Sequence, residues 1–266
     1  MRPLALVRES FRFYRLQSQT LVRVLFLCAY AMSILRSVFP SDAENLAEIY
    51  KFLMSSPYSG LGLASGQTGM PAISQGTLIW VGVQLVTSLF LLLFAFAYAS
   101  FYVAEHEGDT VRTGAVKYLK SLPRLMAFFF MFFGISFLSS AMTSTLILVF
   151  LLIAGALTLY FLPLLLSRTS MKMMWAVNRS FAHTRGHRFY IFNCLLLVTF
   201  LIGMLRNLFL MFLPADIWVD GILGGFFSAA LTLMHGRLMG GLYFIVFKQQ
   251  ETLPGTAAKE SEESAD

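Results

Sequence analysis

The sequence predicts an all-α polytopic membrane bundle, with six transmembrane helices and three amphipathic interfacial helices on the cytoplasmic side. Three observations carry this. Hydrophobic residues make up 57% of the 266 and charged residues only 13%, about half the charged share of an ordinary soluble domain. The apolar residues, 27 Phe among them, fall in unbroken runs of about twenty rather than in the stripes of a water-facing helix. The net charge of +6 gathers in short stretches between those runs, where the positive-inside rule places it. It therefore reports orientation and contact with anionic lipid, and no nucleic-acid partner is expected.

The predicted spans are Leu21 to Phe39, Thr77 to Ala104, Leu125 to Met142, Thr145 to Leu166, Tyr190 to Leu213 and Ile222 to Phe247. Each can cross a hydrocarbon core of about 30 Å at about 1.5 Å per residue. Only Thr143 and Ser144 divide the third from the fourth, which makes them a tight hairpin. Arg2, Arg8, Arg12 and Arg15 precede the first span. Arg112, Lys117, Lys120 and Arg124 fill the second connection, and Arg168, Lys172, Arg179, Arg185 and Arg188 the fourth. The opposite side carries Lys51, so both termini are expected in the cytoplasm. The first span reads as retained rather than cleaved, because Arg36 interrupts it and Ser41-Asp42-Ala43 is a weak cleavage site.

In the outer connection, Ser41-Asp42-Ala43-Glu44 has capping-box spacing and predicts a surface helix with Leu46, Ile49 and Leu53 on one face. Ser55 to Gly76, rich in Gly, Ser and Pro, predicts a mobile loop, and 248–266 a disordered acidic tail. Residues 1–247 form one membrane domain of three units, about 1–104, 105–166 and 167–247, each a surface helix feeding a hairpin. The expected apolar faces are Leu4, Val7, Phe11 and Tyr14; Val111, Ala115, Tyr118 and Leu122; and Met174, Val177 and Phe181. The first and third units align weakly, with Val7-Arg8-Glu9-Ser10-Phe11 against Val177-Asn178-Arg179-Ser180-Phe181.

Ala176-Val177-Asn178-Arg179-Ser180-Phe181, followed by Thr184-Arg185-Gly186-His187-Arg188-Phe189 and an apolar helix, resembles the signature of a bacterial family of six-pass membrane proteins without assigned function. It is also similar to the membrane domain fused to some glycerophosphoryl diester phosphodiesterases. The likeness rests on about 25 residues, with Ser180, Arg185 and Gly186 as its signature positions. It implies a multi-pass protein of the bacterial inner (cell) membrane. The phosphodiesterase activity does not carry over, because no residues remain for a catalytic barrel.

In the sixth span, Gly224, Ser228, Thr232, Gly236 and Gly240 recur every four residues and predict a packing seam, with Leu238 facing lipid. His235 and Arg237 near its middle are the ligand or lipid candidates, placed together in one cavity. No Asp or Glu lies within a span to pair with Arg237, which leaves backbone carbonyls, a lipid phosphate or an anionic ligand. Arg36 and Arg206 lie near outer helix ends, with Asp216 and Asp220 in reach. Pro163 should free the carbonyl of Leu159 and kink the fourth span.

Cys28 and Cys194 read as small buried hydrophobes. His183, His187 and His106 do not form a convincing zinc set, since Gly186 ends the helix between the first two. No metal, cofactor or catalytic motif is expected. Two functions stay open. The first is a non-enzymatic protein that handles or senses an anionic lipid or exports a small molecule. The second is an accessory or immunity-type partner of another membrane protein, docked through the small-residue stripe and the outer loop.

Overall fold

A computed structural model of the chain describes residues 3–55, 72–142, 153–168, 173–213 and 216–251. Among these residues all regular elements are helical. In chain order they are α1 (Pro3–Ser10), α2 (Gln19–Val38), α3 (Ala43–Ser55), α4 (Gln75–His106), α5 (Val111–Met142), α6 (Leu162–Arg168), α7 (Met173–Thr184), α8 (Arg188–Met211), α9 (Ile217–Val219), a π-turn (Asp220–Gly224) and α10 (Gly225–Glu251). Four helical runs are long and apolar enough to cross a membrane: α2, α4, α8 and Asp220–Phe247. The protein is therefore membrane-embedded, with four candidate spans among the described residues.

The third expected span, Leu125 to Met142, is the second half of α5. The third continues without a break from the amphipathic stretch before it, so α5 is one 32-residue helix with Pro123 inside. The fourth falls partly on residues 143–152, outside the described residues, and its described part is not one helix. Residues 153–158 are helical, a turn follows at 159–161, and α6 starts again at Leu162. Pro163 is the second residue of α6, where its missing N–H costs nothing. The Leu159 carbonyl that Pro163 was expected to orphan accepts the Leu162 N–H at 3.0 Å. The break instead frees the Thr158 carbonyl, and α7 satisfies it: Ser180 Oγ donates at 3.0 Å and Thr184 Oγ1 at 3.3 Å.

The last helix is the hub. Two-thirds (67%) of its most apolar window is buried, against 17–22% for the other three spans, and it packs on α1, α2, α4 and α8. A helix that is apolar all round suits that position. Tyr118 ties α5 to α4 by donating to the Leu93 carbonyl at 2.8 Å. The π-turn that opens the last span was not foreseen. It brings Gly221 so close to α2 that a Cβ there would lie 2.6 Å from Val38.

The surface helices show how far periodicity reaches. Of the expected face of the second, Tyr118 is buried and Val111, Ala115 and Leu122 are half-buried. In α1 the buried residues are Leu6, Val7 and Ser10, while Leu4 is exposed. In α7 the protein-facing residues are the small Ala176, Ser180 and Thr184, and Met174, Trp175 and Phe181 point outward. The two aligned serines also differ, since Ser10 bonds the Val7 carbonyl of its own helix whereas Ser180 reaches across to Thr158. Cys194 is buried as expected, but Cys28 is exposed. The expected tail begins late, because α10 runs to Glu251. The rest of it, 252–266, lies outside the described residues, as do 56–71 of the expected mobile loop.

At the opposite end from α1 and α7, α3 forms where predicted but is capped one residue later than expected. Asp42 Oδ1 accepts the Asn45 N–H at 3.2 Å, while Ser74 caps α4 through the Thr77 N–H at 3.2 Å. The two caps lock together: Ser74 Oγ donates to Asp42 Oδ2 at 2.6 Å and its N–H to Asn45 Oδ1 at 3.1 Å. The Ser74 hydroxyl and the Asn45 amide hold the Asp42 carboxyl below its ordinary 3.8. A depressed carboxyl stabilises the fold above its unfolded value, and the contribution disappears as pH falls through the folded one. Hydrogen exchange at the Asn45 and Thr77 amides should therefore accelerate together below pH 3.8. Asp42→Asn should flatten that step, and an unchanged step would exclude Asp42 as its source.

Candidate functional site

On the face that carries α1, the chain between Phe11 and Ser18 is held against α4 and α10 at three points. Arg237 Nη1 donates to the Arg15 carbonyl at 3.1 Å. The Tyr98 hydroxyl donates to the Phe13 carbonyl. The Gln17 N–H donates to Glu105 Oε2 at 3.1 Å. A fourth contact fixes α1 itself, where Arg237 Nη2 meets Glu9 Oε1 at 2.6 Å. Arg237 is only 6% exposed and Glu9 40%, and the guanidinium lies 5.0 Å from the centre of the Tyr102 ring.

This is the partner that sequence reasoning missed. Glu9 is 228 residues away and sits in a surface helix rather than in a span. A pairing at such range leaves no local pattern. Amphipathicity of α1 was the available signal, since Val7 on its buried face brings the neighbouring positions toward the bundle. With a carboxylate, a carbonyl and an aromatic face already engaged, Arg237 is an internal fastener.

The expectation that His235 and Arg237 share a cavity fails on helix geometry. Residues two apart are about 200° apart on a helix, so the pair faces opposite ways. His235 turns to α8, where its Nε2 lies 3.2 Å from Thr199 Oγ1. The small-residue stripe divides for the same reason. Each four-residue step turns about 40° further round the helix, or about 160° from Gly224 to Gly240. Gly236 and Gly240 press on α4, where an added Cβ would lie 2.4 Å from the Ala95 carbonyl oxygen and 2.4 Å from the Tyr102 ring. Gly224 meets the Arg206 side chain of α8. Ser228 and Thr232 face a cavity beside His235. The stripe is thus used within the chain, and Leu238, expected in lipid, is 1% exposed in the core.

Ser180, Arg185 and Gly186 lie on α7 and in the turn that follows it. Ser180 is fully buried on the freed Thr158 carbonyl. Gly186, at φ +91°, makes the left-handed turn between α7 and α8, and the Arg185 N–H closes α7 on the Phe181 carbonyl at 3.2 Å. Arg206 pairs with Asp220 at 2.6 Å, as the spacing suggested. Arg36 exchanges two hydrogen bonds with Gln84, at 2.8 and 2.9 Å. His183 stacks on Phe247 at 4.0 Å, and His187 sits at the N-cap of α8. Among the described residues no group of three His, Cys, Asp or Glu is placed to hold a metal.

Next to the Arg237–Glu9 pair lies a half-open groove of about 580 Å³. Leu6, Tyr102, Gly241, Phe244 and Ile245 give it an apolar floor, and Arg8, Arg12 and His106 line its rim. Arg12 reaches the second oxygen of Glu9 only at 3.5 Å. Arg8 is exposed and makes no ion pair among the described residues. Three guanidinium groups outnumber Glu9 and the nearby Glu105, so the groove keeps a net positive charge. His106 is held upright by its Nδ1 on the Tyr102 carbonyl, 2.9 Å away, with its ring against Tyr102 and Phe244.

Comparison of the chain with protein-family models, with curated proteins and with solved structures finds no match.

Proposed function

We propose that this is a non-enzymatic membrane protein that handles or senses an anionic lipid of the cytoplasmic leaflet of a bacterial inner membrane. The observation that supports it is the groove beside α1. Its apolar floor continues the surface of α10 and its rim presents Arg8 and Arg12, so one molecule with a phosphate head and apolar chains satisfies both parts. The basic stretches around α1, α5 and α7 support a cytoplasmic position for that face under the positive-inside rule. Binding is favoured over turnover because the titratable groups in the groove are committed: Glu9 to two guanidiniums, His106 to a backbone carbonyl. The stripe that the accessory-partner reading needed is covered in part, Gly236 and Gly240 by α4 and Gly224 by the Arg206 side chain of α8.

The test is native mass spectrometry of the protein released from bilayers containing phosphatidylglycerol and phosphatidylcholine. The parent should retain phosphatidylglycerol in preference. Arg8→Gln with Arg12→Gln should lower that retention about tenfold, since each partly exposed ionic contact is worth about 0.5–1 kcal/mol. Arg112→Gln, an exposed site away from the groove, should leave it unchanged. Equal retention by the double variant would overturn the proposal.

A further inference from the structure

A second cavity, of about 560 Å³, lies on the other side of α10, bounded by α4, α5, α8 and residues 156–163. Its lining on α10 runs from Ser228 to Met239, about 16 Å along the axis. Most of its wall is apolar, including Leu91 and Ala95 of α4 and the stacked rings of Phe96 and Phe129. Two polar groups break that wall. Tyr160 lines the cavity, and its hydroxyl is buried with no hydrogen-bond partner among the described residues. His235 also lines it and uses one ring nitrogen on Thr199, the other making no bond among the described residues.

A buried hydroxyl without a partner is costly and rare in native structures. A bound head that accepts from Tyr160 removes that cost, and the second His235 nitrogen can meet the same head. Charge decides the class of head. Arg36 is the one charged lining residue among the described residues, and it lies at the far end of the cavity, beside Gln84 and away from Tyr160. Ions are disfavoured beside Tyr160 because no described residue there compensates them at membrane depth.

We propose that this cavity is a binding site for an uncharged amphiphile. Its hydroxyl or ester-carbonyl head sits on Tyr160 and His235, and its apolar chain lies along Leu91, Ala95 and Phe129. The site is separate from the Arg8–Arg12 groove and does not depend on it.

The experiment uses a photoactivatable, clickable diacylglycerol at low mole fraction in phosphatidylcholine vesicles holding the full chain. Crosslinks are mapped by mass spectrometry. The parent should be labelled on the segments 88–96 and 228–239. Tyr160→Phe removes only the unpartnered hydroxyl, so the fold should be kept while labelling of those segments falls about five-fold, the loss of one hydrogen bond. Ala156→Phe, at an exposed lining position, should fill the space and lower labelling at least as far. Arg8→Gln with Arg12→Gln should not change it, which separates this site from the anionic groove. Equal labelling of the parent and both cavity variants would overturn the proposal. So would a matching phosphatidic acid probe that labels these segments as strongly as the diacylglycerol.

Discussion

Gly236→Ala should destabilise the protein by about 1–3 kcal/mol, the usual cost of forcing one methyl into a packed core, and Gly236→Leu should prevent recovery of folded protein. The added Cβ would lie 2.4 Å from the Ala95 carbonyl oxygen and 2.9 Å from the Tyr98 Cβ. Both atoms are fixed to the α4 backbone, so the clash cannot be relieved by a rotamer change. The helices would have to separate. Close approach at glycine provides the van der Waals packing that helps hold helices together in lipid, where the hydrophobic effect between helices is absent. Gly203 of α8 is the control, since a Cβ there meets nothing within 4 Å. Gly203→Ala should be neutral or stabilising, as the helix gains a better former. Thermal unfolding in a mild detergent separates the two. Equal melting temperatures for Gly236→Ala and Gly203→Ala would show that α4 and α10 do not rely on this contact.

Much of this architecture was legible, for reasons that also mark where legibility stops. The cores of α2, α4, α8 and α10 are apolar runs of the right length, and lipid reads length and apolarity directly. Arg206 with Asp220 was legible because the two lie only 14 residues apart across one short connection. Leu238 was misplaced because lipid is as apolar as a protein core, so composition cannot say which side of a span faces inward. The rotation that separates His235 from Arg237 was available from helix geometry alone. The partner of Arg237 was not. Glu9 sits on a helix whose apolar face was set wrongly by the choice of Leu4 over Leu6, and only the tertiary fold brings it beneath α10. Ser180 was singled out by resemblance, yet its bond to Thr158 depends on the helix break at 159–161, which the apolar run conceals.

Removing Glu9 should cost more than removing the arginine that it holds. In Glu9→Ala the Arg237 guanidinium stays buried with only the Arg15 carbonyl and the Tyr102 face, and its Nε already lacks a partner. Breaking a fully buried pair in this way costs about 3–5 kcal/mol. With Glu9 itself 40% exposed, about 2 kcal/mol is expected here. Arg237→Met takes the buried charge away. The Glu9 carboxylate that remains can turn to Arg12 and to water, so the global loss should stay within about 1 kcal/mol. Both variants loosen α1, because each removes the Glu9–Arg237 pair that holds it. The pair Glu9→Ala with Arg237→Met should then be more stable than Glu9→Ala alone, a coupling that independent sites do not show. Thermal unfolding measures the order, and hydrogen exchange at the α1 amides measures the loosening. If Glu9→Ala melts with the parent and α1 stays protected, Arg237 is not the fastener of the N-terminal helix. The Arg8–Arg12 groove would then lose the element that holds its rim in place.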